Sequence, residues 1–381
     1  MERIIYVDHS ATTAVRKEVL DEMIPYFCDN FGNASSSYSI GRKSRSAVDN
    51  ARKQVANVIK CEPEEIYFTA GGSESDNMII SGIARANKEK GKHIITSKIE
   101  HLAVLNTCKR LEEEGFEVTY LDVDMYGLID LKQLEESIRQ DTILITIMFA
   151  NNEIGTIEPI EDIGNIAKSH GVYFHTDAVQ AIGNIDIDVK KLNIDALSMS
   201  AHKFYGPKGV GAAYIKEGIK FEPLVYGGHQ EGCKRAGTEN VAGIVGLGKA
   251  IEIAMENLDE YNKKLIFLRE NLIARLEQNI NYITLNGHRT KRLPGNINVS
   301  IRGIDGEALL LMLDMNGICA SNGSACNTGN IEPSHVLTAI GINKCVAQGS
   351  LRVTFGEENT IEDVEYISNT LVKIVDKLRY S

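Results

Sequence analysis

With 381 residues, 43% of them hydrophobic and 24% charged, the chain is long enough to bury an ordinary core without disulfide staples, and its length suggests two domains. Its 41 basic and 52 acidic residues leave a net charge of −11, which argues against a general binder of nucleic acid or of an anionic membrane surface. The longest apolar stretches, Ile143–Ala150 and Ala308–Leu313, are too short to span a bilayer.

The opening Met1–Thr13 carries Glu2 and Arg3 and has no long apolar centre, so it does not read as a signal peptide. From residue 14 onward, short apolar runs alternate with helical patterns. Strands are predicted at Glu65–Thr69, His93–Ser97, Thr142–Ala150, Val172–His175, Ala196–Ser200 and Val210–Ile215, with helical patterns such as Leu131–Arg139 and Glu161–His170 between them. Such alternation predicts an α/β fold: a mostly parallel sheet with flanking helices. A long charged amphipathic helix over Ile251–Gln278 reads as a bridge to a second unit. Beyond it come a strand at Asn296–Ile301, a helix at Gly306–Met315, a Gly/Ser/Asn-rich stretch at Ser321–Asn330, a strand at Ser350–Thr354 and a last helix from Ile361. These predict a smaller α+β domain. The expected division is 14–258 for the large domain, and 1–13 with 259–381 for the small one. The seven cysteines, at 28, 61, 108, 233, 319, 326 and 345, are scattered and odd in number, with no CxxC pair. Neither a disulfide framework nor a metal site is expected, the cytoplasm is the default compartment, and most of these thiols are expected to be small buried groups.

Several predicted strands end in polar clusters, and in open parallel sheets ligands bind beyond the carboxyl ends of the strands. Thr69–Asn77 follows a strand with two glycines and then Ser73, where free N–H groups at a helix start attract an anion; a plain capped turn explains the same residues. It is neither a dinucleotide fingerprint nor a Walker loop. Ser200, His202 and Lys203 leave another strand within four residues. A lysine so flanked suits a Schiff base with a phosphate held nearby, and a solvated loop lysine is the plain alternative. Asp177 suits a protonated pyridine nitrogen or, more plainly, a helix cap. His101 suits ring stacking or proton transfer as well as a structural place, and Asn151 and Asn152 suit a turn. Taken in order after successive strands, these residues make one constellation.

The chain resembles the cysteine desulfurases of the NifS and IscS kind, fold-type I pyridoxal-phosphate (PLP) enzymes of the class V aminotransferase group. Motifs at Tyr6–Thr13, Asn151–Gly155, His175–Gln180, Ser200–Gly209, Gly323–Cys326 and Glu332–His335 carry the resemblance nearly end to end. The resemblance implies that Lys203 holds PLP, Asp177 pairs with its ring nitrogen, Gln180 contacts its ring hydroxyl and His101 stacks on it. Gly72, Ser73, Ser200 and His202 would bind the phosphate, and Asn152 would lie beside cofactor or substrate. Thr238 would reach the neighbouring subunit's phosphate, which implies a homodimer. Arg352 would hold the substrate carboxylate, for which a bidentate guanidinium is suited, and Asn33 would contact substrate at the entrance. Cys326 would be the nucleophile, on a mobile loop at about 321–334. An exposed loop of small polar residues is a poor place for a structural cysteine and a good one for a carrier of cargo. With L-cysteine as substrate, Lys203 would remove the α-proton, Cys326 would take the sulfur as a persulfide, and L-alanine would leave. A sulfur-acceptor protein, an iron–sulfur scaffold or another thiol acceptor, would then receive the sulfur.

Ala34 and Tyr38 stand where the family usually has proline and histidine, and Asn322 and Asn327 replace smaller or hydroxyl residues around the cysteine. Members that feed an iron–sulfur scaffold usually carry a longer tail than Leu378–Ser381. An aminotransferase would not need Cys326, a selenocysteine lyase would share the whole constellation, and a non-catalytic scaffold would have no need of Lys203, Asp177, His101 and Cys326 together.

Overall fold

The computed structural model describes residues 4–322 and 334–380. In chain order the strands are β1 (Ile5–Tyr6), β2 (Ile66–Thr69), β3 (His93–Ser97), β4 (Glu117–Leu121), β5 (Thr142–Thr146), β6 (Tyr173–Asp177), β7 (Ala196–Ser200), β8 (Gly211–Ile215), β9 (Ile283–Leu285), β10 (Asn296–Ile301), β11 (Ile318–Cys319) and β12 (Ser350–Thr354). The large sheet has seven strands in the order β2-β8-β7-β6-β5-β3-β4. It is parallel from β7 to β4, and β8 alone runs against its neighbours β2 and β7. The α/β expectation is met.

Strands β3, β5, β7 and β8 are buried at every residue, the pattern of a sheet covered on both faces. Alternation divides them between two cores. Phe174, Leu197, Met199 and Ile145 pack toward the helices Ser39–Ile59, Ile160–His170 and Val241–Glu256. Leu144, Ala196 and Ala213 pack toward the helices Gly72–Asn87 and Leu102–Glu113. A third core lies between the small sheet β12-β10-β9 and the helices Leu258–Asn279 and Ile361–Tyr380. The N-terminal segment crosses from one core to the other. β1 pairs with β11 and Val7 accepts from the Thr354 N–H, after which Ser10–Thr13 run to the edge of the large sheet.

Two expectations need correction, on the long helix and on the cysteines, and one strand, β4, was not expected. The single helix over Ile251–Gln278 is two, Val241–Glu256 and Leu258–Asn279, broken at Asn257 (φ −122°, ψ 24°), a residue type whose side chain competes with the helical backbone. Its first half carries two closely packed glycines, Gly246 and Gly248, which press against Met23 and Ala51, where an added Cβ would approach to 2.6 and 2.8 Å. β4 is an edge strand with only Leu121 buried, so it lacks the apolar run of the inner strands. Of the described cysteines, Cys61 and Cys108 are buried, whereas Cys28, Cys233 and Cys345 are exposed, on a short helix, a turn and a short surface helix.

Candidate active site

The connections leaving the carboxyl ends of β2, β3, β5, β6 and β7 surround one cavity of about 460 Å³. After β2 the chain turns at Gly71 (φ +150°, ψ −177°), a backbone region open to glycine alone, and enters the helix Gly72–Asn87. A side chain on Gly72 would meet Val179 Cγ2 at 2.6 Å. The first N–H groups of this helix therefore stand open at the cavity beside Ser73 and Ser200, an anion cradle.

His101 caps the helix Leu102–Glu113, with Nδ1 accepting the Ala103 N–H at 3.1 Å, and its ring lines the cavity. The Asn151 side chain ties the turn after β5: Nδ2 donates to the Ile99 carbonyl at 2.8 Å, and Oδ1 accepts from the Glu153 and Ile154 N–H groups. That knot fixes Asn152 in the wall. Asp177 ends β6 and accepts the Val179 N–H at 2.9 Å, while Gln180 donates to the Ser10 carbonyl at 3.0 Å. A 3₁₀ turn, Ala201–Lys203, follows β7. Lys203 Nζ donates to the carbonyls of Ser10 and Ala11 at 2.5 and 2.7 Å, and His202 Nδ1 lies 3.1 Å from Thr12 Oγ1. Arg352 reaches in from β12, donating through Nη1 to the Asn152 carbonyl at 3.1 Å and through Nη2 to Asp8 Oδ1 at 2.7 Å; its buried Nε has no partner.

Burial dominates the electrostatics. It raises the Asp177 carboxyl above its ordinary range, against the pull of the His101 and Lys203 side chains. It pushes His202 down to about 4, helped by Lys203 and Lys208, so this imidazole is neutral and able to donate one N–H. Asp76, from the first turns of the helix Gly72–Asn87, also faces the cavity and is fully buried; donor atoms of Asp76, His101 and Asp177 all lie within 4.8 Å of one another. Chemically, the arrangement offers an anion cradle, an amine able to condense with a carbonyl, a buried carboxylate for a cationic ring nitrogen, and a guanidinium for a carboxylate.

Of the residues singled out in the sequence, Lys203, Asp177, His101, Gln180, Gly72, Ser73, Asn152, Ser200, His202 and Arg352 line this cavity. Asn33 and Thr238 do not. Asn33 is exposed, its Oδ1 accepting the Ser35 N–H, and Thr238 is exposed on the segment before the helix Val241–Glu256. Cys326 lies outside the described residues, as do Asn327 and Gly323–Ser324. The described flanks of that segment are anchored. Ser321 pairs with Arg352, and Ser334 Oγ donates to Glu153 Oε2 at 2.5 Å while His335 Nε2 lies 2.9 Å from the Glu100 carbonyl. Sequence reasoning missed Asp8, Ser10, Thr12 and Asp76. The first three sit in the Tyr6–Thr13 motif, whose many polar residues near a chain start were the available signal.

The class V aminotransferase model matches residues 5–367, and the chain belongs to that family. The cysteine desulfurase IscS of Clostridium botulinum is 57% identical over 381 residues, covering all of this chain and 96% of that protein. The IscS of Methanosarcina thermophila is 58% identical over 377 residues, covering 99% and 93%. A solved NifS-like protein superposes with a TM-score of 0.93 at 39% identity, over 98% of this chain and all of that one. SspA, solved in complex with cysteine, gives 0.81 at 40% identity, over 92% and 98%. Within the class V family, the chain falls among the cysteine desulfurases of the NifS and IscS kind.

Proposed function

We propose that this protein is a PLP-dependent cysteine desulfurase that converts L-cysteine to L-alanine and leaves a persulfide on Cys326. The observation that carries this is the gathering of Lys203, Asp177, His101 and Arg352 around one cavity that also holds a helix-start anion cradle. The residues fit the cofactor. The first N–H groups of the helix Gly72–Asn87 suit a phosphate, with Ser73, Ser200 and the neutral His202 as further donors at the cavity. Asp177 suits the ring nitrogen, Gln180 the ring hydroxyl, and His101 the ring face. When bound, PLP supplies an electron sink for the carbanion formed at the substrate's α-carbon.

The chain's own residues do the rest. Arg352, which reaches the cavity from β12, holds the substrate carboxylate. Lys203, fixed by two carbonyls of the Ser10–Ala11 segment, removes the α-proton and returns it. The Cys326 thiolate attacks the substrate sulfur: an S–S bond forms, the C–S bond breaks, and its electron pair stays on carbon, which is protonated to give alanine. The persulfide then passes to an acceptor thiol, on an iron–sulfur scaffold or another thiolation protein. A homodimer would bring Thr238, exposed in one protomer, to the partner's phosphate site. Residues 14–258 serve as the cofactor-binding unit, and 1–13 with 259–381 as the smaller unit that contributes Arg352.

The test is joint assay of alanine and sulfide from L-cysteine under reductant, with Cys326→Ser alongside. Equal yields from the parent, and loss of both from a variant that still changes its cofactor spectrum with cysteine, are expected. No alanine, or a fully active variant, refutes desulfuration through Cys326.

A further inference from the structure

The cavity floor holds a carboxyl that the reaction above does not use. On β6, His175 and Asp177 point to the same face, and on β7 Ser198 lies level with Asp177. The helix Gly72–Asn87 lays Asp76 onto this face. A polar row runs across it: Thr146 Oγ1 lies 2.8 Å from His175 Nδ1, and His175 Nε2 lies 3.0 Å from Ser198 Oγ and 3.8 Å from Asp76 Oδ1. Asp76 is 1% exposed, and its Oδ1 has no hydrogen-bond partner.

Two carboxyls this close, both out of water, do not ionise together. Their surroundings decide which one keeps the charge. Asp177 faces two cationic or proton-bearing groups, Lys203 beyond β7 and His101 beyond β3. Burial and the carboxyls of Asp177 and Glu100 favour the neutral form of Asp76, opposed by the Ser198 hydroxyl. Its other neighbour, His175, offers no positive charge, because complete burial pushes that imidazole down to about 3. The contact between Asp76 and His175 is therefore not an ion pair.

We propose that Asp76 is a protonated positioning acid, which keeps the Asp76–Asp177 pair at a single negative charge and leaves that charge on Asp177. Resting on the cofactor assignment above, this makes Asp177 a full anion for the protonated ring nitrogen without a second uncompensated charge beneath the ring. An asparagine, which has the shape of the neutral acid, substitutes for Asp76 with little loss.

The experiment uses apoprotein grown with carboxyl-¹³C aspartate, so that the buried glutamates do not contribute. Infrared spectroscopy at neutral pH is expected to show a labelled protonated-acid C=O band in the parent that shifts in heavy water and is missing from Asp76→Asn. Absence of the band from the parent, or its persistence in the variant, overturns the proposal; the parent measurement decides even if the variant does not fold. Pyridoxal phosphate titration follows. Asp76→Asn is expected to change affinity by less than about threefold, because a neutral amide replaces a neutral acid, and to leave the pH midpoint of the bound cofactor's absorbance in place. Weakening of about tenfold or more, or a displaced midpoint, would show Asp76 to be anionic and overturn the proposal. Failure of the parent itself to take up pyridoxal phosphate refutes the cofactor assignment alone, and the infrared band still decides the protonation.

Discussion

Arg292 and Arg352 are 3% and 2% exposed, and the molecule treats them in opposite ways. Arg292 closes the turn before β10. Its Nε donates to the His288 carbonyl at 2.9 Å, Nη1 to that of Asn296 at 3.3 Å, and Nη2 to that of Asn286, with no carboxylate of the described residues in contact. Burial, with Arg269 and Arg289 nearby, pushes it down to about 9. Arg352 lines the cavity and has a carboxylate, Asp8, and one carbonyl, yet its buried Nε has no partner among the described residues. Three carbonyls engage all three nitrogens of Arg292, whereas in Arg352 one nitrogen, Nε, has no partner among the described residues. Unspent hydrogen-bonding capacity in a buried charged group separates a binding residue from a structural one more clearly than burial does.

Substituting each arginine tests that contrast. Arg352→Ala is expected to lower kcat/KM for L-cysteine by roughly 100-fold or more, chiefly through KM, since truncating one member of a buried hydrogen-bonded charge pair costs about 2–5 kcal/mol. Steady-state kinetics on the folded, cofactor-loaded variant measure it; an unchanged KM would break the contrast. Arg292→Met is expected to destabilise the fold by about 3 kcal/mol, because three carbonyls, two of them in buried bonds, lose their donor. Its kcat/KM should stay within about twofold of the parent, as nothing it touches faces the substrate. Denaturant midpoints and kinetics on the same preparation separate the two effects.

A buried acid sharpens the same idea. Glu158 is buried, with Oε2 accepting the Ile129 N–H at 3.2 Å and Oε1 unpartnered, and burial raises it to about 8. A folded-state value above the unfolded one means that the neutral acid is favoured in the fold. Its stabilising contribution is complete below about pH 4.5 and is lost as pH rises toward 8, with a slope of up to about 1.4 kcal/mol per pH unit. Glu158→Gln removes this titration. It is expected to match the parent near the acid end and to exceed its stability above neutrality, as read from denaturant midpoints across that range. A variant less stable than the parent at the alkaline end would show that Glu158 is held as an anion.

Most of the cavity was legible in the sequence because the sheet is parallel. Each strand delivers its last residues to one edge, so Gly72, His101, Asn152, Asp177 and Lys203 could be assigned to one site without knowledge of the strand order. What crosses between elements was not legible. The contact of Arg352 with Asp8 spans 344 residues, and Lys203 is held by carbonyls 192 and 193 residues away. Asp76 falls beneath the cavity only because of the rotation of the helix Gly72–Asn87 over β6 and β7, which no local spacing fixes. The break at Asn257 was hidden because the apolar stripe continues through it. The exposed Asn33 and Thr238 stand outside the cavity, and no strand end delivers them to it.

The smallest expected effect concerns a polar group whose bonds are shared out. Ser334 Oγ accepts the Val336 and Leu337 N–H groups at 3.1 and 3.3 Å, capping the helix His335–Ala339, and donates to Glu153 Oε2. Glu153 is raised by burial to about 7, with the Ser334 hydroxyl opposing the rise. Ser334→Ala should therefore cost about 1 kcal/mol at any pH for the lost cap. Above pH 7 it should cost somewhat more, because the ionised Glu153 then lacks its donor. Ser334→Thr keeps both bonds and should restore both parts. Denaturant midpoints on either side of neutrality check this. A loss independent of pH would mean that the hydroxyl serves the cap alone, and that Glu153 holds its place in the Asn151–Gly155 turn through its backbone carbonyl, which accepts from Asn296 and Asn298.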